Sequence, residues 1–253
     1  MRDEARHLVF VSGGSSGIGA ALARAVPWKG ARVLTLSRRP AAGLEHLAVD
    51  LAEPAGWEAA AKAFAREMAG FAGERVVFFH AAGTLTPIGF AGEVDPAAYR
   101  RNVLVNSAAP QVLGDAFLRA AHSTRARCDL VFISSGAAHS IYEGWTSYAA
   151  GKAAVDQWTR TAGAEQARRG GRCRVVAVAP GVVATAMQEE IRRSPARDFP
   201  QVLRFIELHK TGALREPDEA ARDIWALLAR DFPNGAVLDL RAPEGLPASP
   251  QGS

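Results

Sequence analysis

Tyr148 and Lys152 stand four residues apart in the stretch TSYAAGKAAVDQW, a spacing that places both side chains on one face of a helix. A free phenol holds its proton to about pH 10 and is a poor acid–base group near neutrality. An ammonium one turn away stabilises the phenolate and lowers that pKa, which lets Tyr148 exchange a proton with a substrate oxygen. Such pairs arise by chance on many helices, and this one takes its meaning from its surroundings. Thirteen residues before Tyr148 is Ser135, at the end of the apolar run DLVFISS. Open α/β sheets bind ligands at the carboxyl ends of their strands, where a hydroxyl can hydrogen-bond a reacting carbonyl. The chemistry that suits these three residues is proton exchange at a carbonyl or alcohol oxygen.

The first strand-like run leads into SGGSSGIG, where Gly13, Gly17 and Gly19 frame Ser15, Ser16 and Ile18. A glycine-rich turn from strand to helix brings backbone close to a pyrophosphate, and the helix N-terminus offers unpaired N–H groups and partial positive charge. The spacing is G-x-x-x-G-x-G, not the G-x-G-x-x-G of larger dehydrogenases. In dinucleotide folds the end of the second strand lies beside the adenosine ribose. A carboxylate there selects NAD, whereas an arginine accommodates a 2′-phosphate. This chain reads LSRRP: Ser37 is small and neutral, and Arg38 and Arg39 follow. Guanidinium pairs with phosphate through charge-assisted hydrogen bonds, and the expected cofactor is NADP(H). Asp50 and Leu51, after the third strand run, are expected to border the adenine. Ala82 and Gly83 end the fourth run with small residues that give the cofactor room.

The elements that must position these groups alternate. Apolar, β-branched runs occur at 7–12, 32–37, 46–49, 75–80, 129–135, 174–180 and 236–240, and Ala-rich helical stretches at 20–28, 54–71, 95–122, 147–169 and 217–230. Continuous apolar strands indicate a parallel sheet covered on both faces. The β–α rhythm then predicts one Rossmann-like, doubly wound α/β domain over residues 1–240, with about seven parallel strands. The last residues, 241–253, are rich in Pro, Gly and Ser and read as a disordered tail.

Bulk properties fit that architecture. Apolar residues make up 48% of the 253, enough for a large core. No apolar run reaches the ~18 residues of a membrane span, and the N-terminal MRDEARHLVFVSGG lacks the apolar core of a signal peptide. A cytoplasmic location and no membrane partner are expected. The formal charge is +4, but the basic residues are scattered without an aromatic stripe, which argues against nucleic acid. Cys128 and Cys173 have no C-x-x-C partner or clustered histidines. They read as reduced structural residues, and no metal is expected.

Taken together, SGGSSGIG, HAAG, NSAAP, ISS, YAAGK and PGVVAT resemble the short-chain dehydrogenase/reductase family over roughly residues 7–240. The resemblance implies a catalytic tetrad of Asn106, Ser135, Tyr148 and Lys152. Tyr148 would donate the proton and Ser135 would orient the carbonyl. Lys152 would also hold the nicotinamide ribose, and Asn106 would hold a water linking Lys152 to solvent. Asn102 competes for that last role, and NSAAP favours Asn106. Pro180, Gly181, Val183 and Thr185 would border the nicotinamide amide and the phosphates. His80 and Ala81 replace two asparagines usual in the family, a change that bears on bracing of the sheet. His80 as a base and His139 as a pocket residue are weaker candidates. Within the family, the loops SSGAAHSIYEGWTSYAAGKAA, PGVVATAMQEEIR and FPNGAVLDLR look like the sepiapterin reductase and benzil reductase branch. That branch implies NADPH-dependent reduction of a ketone or adjacent dicarbonyl.

Residues 185–212 interrupt the strand–helix rhythm and read as one or two short helices forming a lid. Met187, Phe199, Phe205 and Leu208 are expected to face a small-molecule carbonyl substrate, with Tyr142 and Trp145 opposite. An apolar, aromatic-lined pocket suits a flat or aromatic ketone. On the helix from Ser147, Ala153, Ala154 and Trp158 are read as exposed, and the family resemblance implies pairing there into a homodimer or homotetramer. Two other readings share the frame: a non-catalytic NADP-binding redox sensor, and an epimerase or dehydratase. The intact tetrad speaks against a sensor.

Overall fold

The computed structural model describes residues 5–242. Its centre is a sheet of seven parallel strands in the order β3-β2-β1-β4-β5-β6-β7. These are β1 (His7–Ser12), β2 (Arg32–Ser37), β3 (Glu45–Ala48), β4 (Arg75–His80), β5 (Arg127–Ile133), β6 (Cys173–Ala179) and β7 (Ala236–Asp239). Strand order reverses between β1 and β4, which are paired from His7↔Arg75 to Ser12↔His80. A crevice at the carboxyl ends beside such a switch point is the expected ligand site. The doubly wound arrangement and strand number follow the sequence reading, with ends displaced by at most two residues.

Alternating side chains along each strand serve opposite faces. Phe10 and Phe78 join Phe64 of α2 (Pro54–Met68) and Phe117 of α4 (Ala109–Ala121) in one core. Val9, Val11 and Phe79 meet Leu22 of α1 (Gly17–Arg24) and Ile224 and Trp225 of α8 (Pro217–Leu228) in the other. Both layers are needed because inner strands such as β1, β4 and β5 are buried on both sides. Pro54 and Pro217 begin their helices, where a missing N–H costs nothing. The long α5 (Thr146–Arg168) joins α2 and α4 on the first face.

The stretch expected as one helix over 95–122 is divided. Asp95 caps α3 (Pro96–Val103) by accepting the Ala98 N–H at 2.7 Å. A π turn, Leu104–Ala108, follows before α4. Pro110 has no N–H and cannot serve the Asn106 carbonyl four residues back. The Ala109 N–H instead reaches the Leu104 carbonyl, and the helix widens by one residue. Two helices, α6 (Ala186–Arg193) and α7 (Val202–Lys210), occupy the interruption after β6. Arg241 and Ala242 are not part of a loose tail: both backbone N–H groups bond Asp239 in a turn. Residues 243–253 lie outside the described residues.

Candidate active site

Beyond the end of β5, Ser135 caps a 3-10 turn at Gly136–Ala138 and accepts the Ala137 N–H at 3.2 Å. Its hydroxyl also hydrogen-bonds the phenol of Tyr148, which lies in the first turn of α5 and is 7% exposed. Lys152, one turn further, is equally buried and donates from Nζ to the Ile133 carbonyl at 2.7 Å. Its Nζ lies 5.7 Å from the centre of the Tyr148 ring. The sequence reading expected the ammonium to lower the phenol pKa, and the structure corrects this. Burial pushes Tyr148 up, and only the Ser135 hydrogen bond pulls it down. At neutral pH the phenol is therefore protonated. Burial also brings Lys152 down to about 8, against the pull of the Asp156 carboxylate.

Asn106 lies in the π turn, 2% exposed. Its amide accepts the Thr84 N–H at 3.0 Å and donates to the Thr84 carbonyl at 2.7 Å and to Asn102 Oδ1 at 2.8 Å. Asn102 in turn donates to the Thr86 carbonyl at 2.9 Å. The two asparagines thus form one brace for the loop after β4. That loop places Gly83 against the site: a Cβ on it would stand 3.2 Å from Asn106 Oδ1 and 3.8 Å from Lys152 Nζ.

The residues expected at a dinucleotide gather around the β1–α1 turn. Gly13 has φ +70°, and a Cβ there would meet the Ala82 backbone at 2.8 Å. A Cβ on Gly19 would stand 2.4 Å from the Gly13 carbonyl. The turn therefore closes only with glycine at both positions. Ser16 precedes α1 without capping it through its side chain; Ser15 is half-buried. Gly17 lies near the Thr185 methyl, joining this turn to the loop after β6. At the end of β2, Ser37 donates to the Arg39 carbonyl at 2.7 Å, and Arg38 and Arg39 are exposed. Asp50 accepts both contacts from one nitrogen of Arg101, at 2.7 and 2.9 Å. Leu51 is buried in the core beside α2. The glycine cradle fits the pyrophosphate of a dinucleotide.

A pocket brings Ser135, Tyr148 and Lys152 together with Ile18 of the glycine turn; Asn106 and the glycines of that turn do not line it. It is lined by Ile18, Gly83, Ser135, Tyr148 and Lys152, by Pro180, Gly181, Val183 and Thr185, and by Tyr142, Trp145, Met187 and Phe205. Phe199 does not line it: fully buried, it stacks behind Trp145 at 4.5 Å. Leu208 packs against the same cluster from outside the pocket. His139 turns away to pair with Asp156 at 2.8 Å. His80 is buried under the site, bonded to Ser12 at 2.9 Å. Burial, aided by the Lys152 charge, lowers its pKa to about 3, and it braces β4 to β1. Trp158, read as exposed, packs its ring against Gly114 and Phe132. The sequence reading missed Gln188, Ile191 and Arg241, which also line the pocket. Ile191 lies four residues from Met187, a helical repeat that could have signalled it; Gln188 and Arg241 carry no such pattern. Arg241 lies with its stem over Gly181 and its head beside Gly136.

A family model described as short chain dehydrogenase matches residues 7–196. Benzil reductase ((S)-benzoin forming) of Bacillus subtilis (strain 168) is 33% identical over 238 residues, covering 92% of this chain and 98% of the relative. Sepiapterin reductase of Mus musculus is 34% identical over 111 residues, 44% of this chain and 41% of that one. Among solved structures, a short chain dehydrogenase/reductase from Saccharomyces cerevisiae superposes with a TM-score of 0.79 at 23% identity. That match covers 95% of this chain and 100% of the other and is a likeness of fold.

Proposed function

Because the chain belongs to the short-chain dehydrogenase family, we propose that it is an NADPH-dependent reductase of ketones, in particular of one carbonyl of an adjacent dicarbonyl. The supporting observation is the convergence of Ser135, Tyr148 and Lys152 on one wall of an aromatic-lined pocket, with burial keeping the phenol protonated. A reductase needs its acid loaded before the reaction, and that is the form burial favours. The benzil reductase relative supports the dicarbonyl class.

In this reading Gly13, Ser15, Ser16, Gly17, Ile18 and Gly19 hold the pyrophosphate. Ser37, Arg38 and Arg39 receive the 2′-phosphate. Asp50 and Leu51 border the adenine, and Ala82 and Gly83 give the cofactor room at the end of β4. Pro180, Gly181, Val183 and Thr185 border the nicotinamide half. When bound, the reduced nicotinamide supplies the hydride that adds to the carbonyl carbon. Ser135 and Tyr148 hold the carbonyl oxygen, and the Tyr148 proton passes to it as the alcohol forms. Lys152 holds the nicotinamide ribose, and its ammonium stabilises the resulting phenolate. With a pKa near 8, Lys152 is also suited to return a proton, with Asn106 shaping the route to solvent. The helices α6 and α7 act as the lid that excludes water.

Steady-state assays with benzil and each nicotinamide test the cofactor half of this reading. The Arg38→Ala variant is expected to lose about 10-fold or more in affinity for NADPH while NADH changes little, because only NADPH offers a phosphate to the guanidinium. Equal weakening of both cofactors would remove the 2′-phosphate assignment.

A further inference from the structure

Gln188 is 2% exposed and lines the pocket from the first turn of the lid helix α6. Its Oε1 accepts from Arg192 Nη1 at 2.9 Å. That bond fixes which way the carboxamide is turned, since a guanidinium can only donate. The amide nitrogen is left buried with no hydrogen-bond partner. A second donor in the same pocket lining shares this condition. Trp145 is 5% exposed and also lines the pocket, and its Nε1 is likewise buried without a partner. Buried polar groups are nearly always satisfied, and each exception calls for an explanation. Two donors in one pocket lining, neither of them paired with the phenol or the hydroxyl there, point to a ligand that brings the acceptor.

We propose that Gln188, assisted by Trp145, is a specificity-determining residue that donates from Nε2 to a second oxygen of the substrate. This inference rests on the reductase reading and deepens it. Tyr148 and Ser135 take the carbonyl oxygen that is reduced, and the Gln188 amide takes its neighbour. The substrate class is then a ketone with an adjacent acceptor oxygen, such as a vicinal dicarbonyl. A simple ketone leaves the Gln188 amide unpaired and is discriminated against for that reason. The proton and hydride of the reaction are unaffected, since Gln188 touches only the oxygen that does not react.

Benzil and deoxybenzoin form a matched pair for the test, because the second has a methylene where the first has its other carbonyl. Gln188→Glu keeps an acceptor for Arg192 and removes the amide donor; Gln188→Met removes both polar ends at similar volume. Calorimetric binding to the protein alone and kcat/KM with NADPH are measured for both ligands, with thermal melting to confirm folding. The wild type is expected to prefer benzil, and both variants to lose about 10- to 100-fold of that preference, the range set by one buried unpaired donor. The loss should fall on benzil. An unchanged preference in folded Gln188→Met overturns the assignment. Absence of NADPH oxidation with any ketone in the wild type counts against the reductase reading instead, and the binding preference then still decides the role of Gln188.

Discussion

Tyr148 and Lys152 are both buried, and burial drives their pKa values apart: the phenol up from 10.0, the ammonium from 10.5 down to about 8. For Lys152 this is also a statement about stability. Its folded pKa lies below the 10.5 of the unfolded chain, so the unfolded state binds more protons between those values. Stability therefore rises with pH across about 8 to 10.5, and the full penalty of the buried charge is present below 8. Lys152→Met removes that penalty. The variant should be more stable than the wild type near pH 7 by about 1–3 kcal/mol, after allowing for the lost bond to Ile133. The gain should shrink toward zero near pH 10, and reductase activity should be gone throughout. Urea titrations at both pH values check this; a pH-independent gain contradicts it. The pair itself was legible because its spacing is a chemical motif. The direction of the Tyr148 shift was not, because burial depends on Trp145 and Phe205, which tertiary packing brings around it.

At the scale of elements, the strands were legible because apolar, β-branched runs leave few alternatives in a sheet buried on both faces. The glycine turn was legible because only glycine fits where Gly19 meets the Gly13 carbonyl. The π turn around Asn106 was not anticipated, although Pro110 carried the signal: a proline four residues on removes the donor that an α-helix would give that carbonyl. Phe199 shows a different limit. An aromatic residue in a lid can face the substrate or support the residue that does, and the sequence pattern is the same in both cases. Its parallel stack at 4.5 Å on Trp145 makes it the support. Arg241 was assigned to the tail for its Pro- and Gly-rich surroundings, yet it is bonded to Asp239 and lines the pocket.

For the whole molecule, the sheet separates stability from chemistry. At the amino ends of the strands, Asp129 is fully buried between Arg75 at 2.7 Å and Arg174 at 2.8 Å. Both arginines also donate to the Leu228 carbonyl at the end of α8. This cluster ties β4, β5 and β6 to α8, at the opposite edge from Ser135 and Tyr148. Asp129→Ala leaves two partly buried guanidinium groups without their carboxylate and should cost about 3–5 kcal/mol. The remaining folded protein should keep its kcat. Denaturant unfolding alongside assays at low temperature checks both halves, and a fall in kcat without loss of stability contradicts the separation. The Gln188 assignment could not come from sequence at all, since an unpaired amide is visible only once its neighbours are placed.

The most direct test of the account is the rate of NADPH oxidation with benzil by the wild type and by Tyr148→Phe, with NADPH affinity measured on both. Losing the proton donor should lower kcat by about 1,000-fold or more while NADPH binds the variant nearly as well as the wild type. A variant that still reduces benzil at close to the wild-type rate would show that the phenol is not the acid and contradict the account.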